Sequence, residues 1–312
     1  MKYFLNFYAH PDAGRREGYF HFMWGYCMPA INEIIKREAI PCSGEQRHEY
    51  RLLSGEQELN SIFIDIFHRL KIDFEFVKKE VRDKDINEIM IPRWDLYLIY
   101  EAALMNMNLW LLVKNIVKEV IIFRRIPRTF NFRFQRKEII RTRNLILKHC
   151  LSEGHQKNKL HPNDGGINYI LERSKHKVDD PKKVNSPKDR RSLLNVGEAI
   201  SKLEEKSIAV KSYDSGSDHI VKQIQKFNKA DVVIAIRGGE LANVAWMKEG
   251  AKVIVFDPFN QNNNPSLSMP LAKLFKVDYI SFREGICAHH SLSSDVIDRI
   301  VNLIMNKSLS CG

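Results

Sequence analysis

The amino-acid sequence predicts an α/β protein with parallel β-sheets, built from two domains. From about residue 160 onward, short apolar runs alternate with longer helical patterns. Strands that alternate with helices of about 10 to 15 residues indicate β-α-β units and a parallel sheet. The chain has 312 residues, which is enough for two domains of about 150 residues, each with its own core. Its residues are 44% hydrophobic and 28% charged, too apolar for a disordered chain.

The first half of the chain shows fewer regular patterns. Residues 1–10 are expected to open a strand, and helices are expected over residues 18–39 and 56–72. Residues 96–113 are the most membrane-like stretch, but they include Glu101 and two asparagines, which favours a helix buried in this half. The apolar period is lost between residues 149 and 164. We therefore expect domains of residues 1–155 and 156–312, with the last helix a candidate to pack back on the first domain.

The second half has the clearer pattern. The helical spacing is visible in Ile220, Ile224 and Phe227, which fall at i, i+4 and i+7. Strands are expected over residues 166–173, 207–214, 231–239, 252–258 and 278–282, and helices over residues 190–206, 217–229, 240–250, 266–275 and 293–307.

A glycine pair marks a candidate binding turn, since Arg237, Gly238 and Gly239 follow one strand and precede a helix. In parallel sheets ligands bind beyond the carboxyl ends of strands, and glycines let the backbone approach them closely. Amides at the start of a helix near Glu240, together with the arginine, favour a phosphate group. The alternative is a tight turn whose glycines serve packing alone. Neither GxGxxG nor GxxxxGK[ST] occurs in the chain, which disfavours a dehydrogenase or an NTPase.

The order of several elements in residues 167–285 resembles glycosyltransferase family 61. The elements are Arg173 ending a strand, the segment RRSLLNVGEAI, a helix ending in QIxxFxxAD, and the GGxLxN turn. The resemblance implies a GT-B fold, in which two Rossmann-like domains with parallel sheets face a central cleft. It implies inverting transfer of a hexosyl or pentosyl unit, without an essential metal or cofactor. The donor would be a nucleotide-diphosphate sugar, with UDP-xylose and UDP-N-acetylglucosamine favoured, and the acceptor a polysaccharide, lipid-linked glycan or glycoprotein.

The resemblance also implies that the donor lies against the second domain. Arginine stands at residue 237 where the family usually has histidine; it cannot act as a base but can offset charge on a leaving diphosphate. Asp257 is expected to accept hydrogen bonds from ribose or sugar hydroxyls, or else to be a solvated aspartate at a strand end. The candidate nucleotide-sugar-binding residues are Arg173, Arg191, Asn195, Glu198, Arg237, Gly238, Gly239, Glu240, Asn243 and Asp257.

Inverting transfer needs a base that deprotonates the acceptor hydroxyl. His21 is the first candidate, because GYFHFMWGYCMPAI resembles the family's HWxxDxLP helix, with one extra residue and without the usual acid. His10 and Asp12, in the turn YAHPDAG, are the other candidates for the catalytic base. No metal site is expected: the DxD at residues 83–85 lies in a charged stretch, and the pair at residues 289–290 lacks further ligand spacing.

The net charge of +11 should attract anionic partners. Residues 123–148 interleave arginines with phenylalanines, a mixture that can bind nucleic acid or an anionic membrane surface, or form a solvated helix beside a strand. For a sugar transferase we expect no nucleic acid and a peripheral membrane contact. The alternative function is a basic, non-catalytic nucleic-acid-binding protein on an α/β scaffold. Five scattered cysteines and no apparent signal peptide favour the cytoplasm, with a location at the inner face of a membrane as an option.

Overall fold

A computed structural model describes residues 2–7, 19–38, 48–53, 57–77, 86–92, 94–105, 132–155, 167–172, 192–258, 266–287 and 289–305. Within these ranges, helices alternate with the strands of two larger sheets, and all strand pairings in both are parallel. The predicted α/β class with parallel sheets is confirmed. The division at residues 155 and 156 and the GT-B cleft stay predictions.

Among the described residues, the first sheet has four strands in the order β3-β2-β1-β4. They are β1 Lys2–Phe7, β2 Glu49–Leu53, β3 Phe74–Val77 and β4 Ile86–Ile91. Only β1 had been predicted. The other three are short and carry charged residues, so they lack the continuous apolar run that identifies a buried parallel strand.

The helices of this half confirm both predicted helical segments. One is α1 Tyr19–Phe22, a π-helical segment Met23–Cys27 and α2 Met28–Glu38; the other is α3 Gln57–Arg69. The helix α4 Trp94–Met105 buries Trp94, Leu98 and Ala102, as expected for the start of residues 96–113. The next helix among the described residues is α5 Phe132–His155. Among the described residues, no helix combines the length and apolar character needed to cross a membrane.

The second sheet contains the five predicted strands in the order β10-β9-β8-β5-β7. They are β5 Ile167–Glu172, β7 Val210–Asp214, β8 Ala230–Ile236, β9 Lys252–Phe256 and β10 Asp278–Phe282. Two short strands, β6 Ser192–Leu193 and β11 His289–His290, pair with each other. The helices are α6 Val196–Glu205, α7 Ile220–Lys229, α8 Ser268–Leu274 and α9 Ser294–Met305, and α9 packs against α6.

Residues Gly239–Trp246 form a 3-10 helix, where an ordinary helix had been expected. Side chains from the first half bind its carbonyl groups. Trp24 Nε1 donates to the carbonyl of Ala242 at 3.2 Å, and Arg143 Nε donates to that of Ala245 at 2.8 Å. These two hydrogen bonds tie the 3-10 helix to the first half.

Strand β8 is buried on both faces, so its sequence is a continuous apolar run. Val233 and Ala235 face a core that extends into the first half and includes Leu5. Ile234 and Ile236 face a second core, which α6 and α9 cover. Helices α7 and α8 and residues 239–246 cover one face of the second sheet, with the first half packed on them, and α6 and α9 cover the other face.

Strand order reverses once in each sheet. The chain passes from β5 to its neighbour β7 and then returns to the other side of β5 with β8; in the first sheet β1 lies between β2 and β4. Ligands of open α/β sheets bind beyond the carboxyl ends of strands at such reversals. Sites are therefore expected beyond the carboxyl ends of β1 and β4, and of β5 and β8.

Candidate functional site

The turn after β8 lies against the start of the helix that carries His21. A β-carbon at Gly239 would lie 3.5 Å from Tyr19 Cβ and 3.9 Å from the Phe20 amide nitrogen. Helix α1 also packs along the 3-10 helix. The structure thus brings two sequence-predicted features, the glycine turn and the His21 helix, into contact.

His21 is joined to an acid that the sequence did not indicate. Its Nδ1 lies 2.8 Å from Oδ2 of Asp95. The Asp95 side chain is 0% exposed and the His21 side chain 35% exposed. A carboxylate acceptor at Nδ1 places the proton on that nitrogen, which leaves Nε2 with a lone pair. The His21 ring is therefore held from the buried side and reachable from the other.

The helix between His21 and Pro29 differs from the expected motif in a way that the structure explains. Residues Met23–Cys27 are π-helical, and a π-turn accommodates one residue more than an α-turn. The extra residue of the motif is therefore absorbed without breaking the helix. Gly25 lies in this segment, and a β-carbon there would approach Asp95 Cγ to 2.9 Å.

A buried hydrogen-bond network ties α1 to the second half. The Tyr19 hydroxyl lies 2.8 Å from Gln223 Oε1 and 3.0 Å from Asn243 Oδ1. Asn243 donates to Gln223 at 2.7 Å and accepts from Trp246 Nε1 at 3.1 Å. Burial raises the pKa of the Tyr19 hydroxyl, which therefore stays a neutral donor. Asn243, predicted to contact the donor, is itself fully buried in this network.

Arg237 and Asp257, both predicted donor residues, form a buried ion pair with each other. Arg237 NH1 lies 3.1 Å from Oδ1 and 3.2 Å from Oδ2 of Asp257. The Arg237 side chain is 10% exposed and that of Asp257 is 0% exposed. Both residues follow the carboxyl ends of adjacent strands, β8 and β9. Asp257 thus holds Arg237 and is not the solvated aspartate of the alternative reading, and its contact with ribose or sugar hydroxyls stays a prediction.

Asn195 and Glu198 lie at the start of α6. Asn195 Nδ2 donates to the Leu292 carbonyl at 3.0 Å, and its Oδ1 accepts from the Leu292 amide at 2.8 Å. Glu198 is exposed and pairs with Lys202 at 2.6 Å, and the hydrogen bond from Lys202 lowers the pKa of its carboxyl group. The Asn195 side chain thus fixes the loop that precedes α9.

The described basic residues of the segment 123–148 differ in burial and in contacts. Arg143 donates to the carbonyls of Ala245 and Met247, each at 2.8 Å, and lies over the Phe275 ring at 4.9 Å. Burial lowers the pKa of Arg143 to about 10. Arg141 and other basic side chains of α5 are exposed, and residues 123–131 lie outside the described ranges.

Several predicted residues lie outside the part of the chain that the structure describes. They are His10, Asp12, Arg173 and Arg191, together with residues 83–85. Their roles stay predictions. Within the described ranges, no three His, Cys, Asp or Glu side chains gather in a way that could hold a metal ion.

Asp95 is the residue that sequence reasoning missed. It is the second residue of α4, the helix that comes after β4, and β4 is the neighbour of β1 but had not been recognised. Had that strand been assigned, an aspartate beyond its carboxyl end would have been a candidate by the same argument that selected Arg237.

Comparison with known proteins identifies the family. A search of curated proteins gives no match. The model of the Glycosyltransferase 61 family matches residues 19–254, from the first residue of α1 into β9. Nothing in these comparisons supports the nucleic-acid-binding alternative. Because the match covers more than half of the 312 residues and includes both the His21 helix and the Arg237 turn, the chain belongs to the glycosyltransferase 61 family.

Proposed function

We propose that this family member is an inverting glycosyltransferase of the GT-B type that moves a sugar from a UDP-sugar to a glycan acceptor without a metal ion. Family membership implies the glycosyltransferase activity itself. One observation supports the finer proposal most: the turn carrying Arg237 lies against the helix carrying His21. The proposed diphosphate-binding group and the proposed base then lie on elements that touch each other.

The donor diphosphate would lie on the turn after β8. Backbone amides of Gly239 and Glu240 offer N–H dipoles, and Arg237 adds a planar guanidinium that suits phosphate oxygens. Because Asp257 already holds NH1 of Arg237, the guanidinium is oriented before substrate arrives. Preorganised donors stabilise the charge that develops on the leaving diphosphate without reorganisation during the reaction.

The acceptor hydroxyl would be activated by His21. Its Nε2 takes the proton while the acceptor oxygen forms a bond to the anomeric carbon of the donor sugar. The bond from that carbon to the diphosphate oxygen breaks, and its electron pair leaves with UDP. Attack opposite the leaving group inverts the anomeric centre. Asp95 then stabilises the imidazolium ion, as a carboxylate does in other histidine-base enzymes.

The acceptor is proposed to be a polysaccharide, lipid-linked glycan or glycoprotein at a membrane surface in the cytoplasm. Lys137, Arg141 and Lys148 are exposed along α5 and recur at helical spacing. Basic side chains near a surface are attracted to anionic lipids by about 1 kcal/mol each. This face supports a peripheral contact through residues 123–148.

Thermal unfolding with a panel of nucleotide sugars tests the proposal. UDP-xylose and UDP-N-acetylglucosamine, compared with GDP- and CMP-sugars, would be added with and without EDTA. A UDP-sugar at 100 times its Kd should stabilise the wild type by about 2.7 kcal/mol, and EDTA should not reduce this. The Arg237→Lys variant keeps a charge beside buried Asp257 but loses the planar guanidinium. The UDP-sugar should therefore stabilise this variant much less than the wild type.

The matched control is Arg141→Lys, the same substitution at an exposed position in the first half. The UDP-sugar should stabilise this variant as much as the wild type. The proposal is contradicted if no nucleotide sugar stabilises the wild type, or if Arg237→Lys and Arg141→Lys respond equally.

A further inference from the structure

We propose that Asp95 is the positioning residue of the His21 base, and that the missing side chain of Gly25 is what admits the Asp95 carboxylate to this position. The inference rests on the proposed function, in which His21 deprotonates the acceptor. It adds two residues, on separate elements, whose roles the family match does not assign.

The geometry at Gly25 carries the inference. A β-carbon there would lie 2.9 Å from both Cγ and Oδ1 of Asp95, and 3.1 Å from Oδ2. Distances under about 3 Å are too short for non-bonded carbon contacts, so any larger residue would displace the carboxylate. The displaced oxygen Oδ2 is the one that lies 2.8 Å from His21 Nδ1. Glycine at this position therefore permits the hydrogen bond between the two side chains.

The asymmetric burial of the pair indicates a positioning role. The Asp95 side chain is 0% exposed, whereas that of His21 is 35% exposed. A pair that served packing alone would gain nothing from leaving the imidazole open. Here the carboxylate fixes the ring and its tautomer from inside, while the His21 side chain stays partly exposed. Helix α4, which supplies Asp95, packs directly on the π-helical segment that supplies Gly25.

The position that a β-carbon would take at residue 25 suggests a variant in which residue 25 supplies the carboxylate. A carboxylate attached at residue 25 would enter the volume that Asp95 now fills, and residue 25 lies on the same helix as His21. The acid could therefore be supplied from position 25 if Asp95 were removed. Both acids together could not fit, because their carboxylates would overlap and repel.

The experiment measures UDP release by hydrolysis of the UDP-sugar that stabilises the wild type, with water as the acceptor that His21 deprotonates, together with the His21 tautomer by 15N NMR. Asp95→Asn is isosteric and should lower kcat by about a hundredfold or more, with the donor KM unchanged. The proton should move from Nδ1 to Nε2, because the asparagine amide can donate to Nδ1. Asp298→Asn, at an exposed acid paired with Lys206, is the matched control and should change neither readout.

Gly25→Ala keeps both reacting groups and should also lower kcat, because the added methyl group displaces the carboxylate. Its control is Gly197→Ala, where a β-carbon would meet nothing within 4 Å. The swap Gly25→Asp with Asp95→Gly should be at least tenfold more active than Asp95→Gly alone. This rescue keeps the test decisive even where a single variant folds poorly.

The outcomes separate this inference from the proposed function. If His21→Ala abolishes UDP release but Asp95→Asn keeps the wild-type kcat and tautomer, the positioning role is wrong and the transferase proposal stands. If His21→Ala retains full activity, the assignment of the base fails, and this inference fails with it. Loss of kcat and a changed tautomer in Asp95→Asn, with rescue by the swap, would establish both.

Discussion

Arg143→Ala should destabilise the protein substantially, although Arg143 lies on a helix and not at either of the expected ligand sites where strand order reverses. The side chain spans from α5 to the 3-10 helix and donates to two carbonyls, each at 2.8 Å. Hydrogen bonds from charged groups contribute about 1.5 to 3 kcal/mol each, and loss of the Phe275 contact adds about 0.5 kcal/mol. Burial lowers the pKa of Arg143 because desolvation disfavours the charged guanidinium. Part of the hydrogen-bond energy therefore offsets this desolvation. The contributions sum to about 3.5 kcal/mol or more, and after the desolvation offset we expect a loss of about 3 kcal/mol.

Urea unfolding followed by circular dichroism measures this loss. With a slope of about 3 kcal/mol per molar urea, the midpoint should fall by about 1 M. Arg141→Ala, at an exposed position two residues away on the same helix, should change stability by less than about 0.5 kcal/mol. Arg143→Lys keeps the charge but cannot reach both carbonyls with a fork, so its loss should be intermediate. Equal midpoints for Arg143→Ala and Arg141→Ala would refute the reasoning.

Three further outcomes are expected. Tyr19→Phe removes a buried hydroxyl from the network with Gln223 and Asn243 and should cost about 1 to 2 kcal/mol in urea unfolding; an unchanged midpoint would contradict the network's role. Asn195→Ala removes both hydrogen bonds to Leu292 and should cost about 1 to 2 kcal/mol, whereas Asn302→Ala, at an exposed residue of α9, should be neutral. The protein should sediment with vesicles containing phosphatidylserine at low salt and be released by 0.5 M NaCl. The free energy of vesicle binding should fall by several kcal/mol, because each of a few basic residues contributes about 1 kcal/mol. Equal binding to neutral vesicles would argue against an electrostatic contact.

Most of the second half could be predicted because its signals are local. Buried parallel strands such as β8 are continuous apolar runs, and α7 shows Ile220, Ile224 and Phe227 at helical spacing. The glycine turn follows directly in sequence from β8. Apolar patterns that repeat every two residues in strands or every 3.6 residues in helices can be recognised in a short stretch of sequence.

The first sheet was mostly missed for the opposite reason. Strands such as β2 and β4 contain Glu49, Arg51 and Glu88, so composition did not distinguish them from loops. They become strands through pairing with β1, since Lys2 lies opposite both Glu49 and Ile86. Strand propensity depends strongly on such neighbours and is weak as a local signal.

The sequence by itself determined the α/β class, the turn at Arg237, the candidate base His21 and the family. Only the tertiary structure decided what these residues contact. His21 meets Asp95 across 74 positions of the chain, Arg237 meets Asp257 across 20, and Tyr19 meets Asn243 across 224. It also decided that residues 239–246 wind as a 3-10 helix whose carbonyl groups accept from Trp24 and Arg143. Local patterns report the neighbours of a residue along the chain, whereas hydrogen bonds and ion pairs between distant residues depend on how the elements pack.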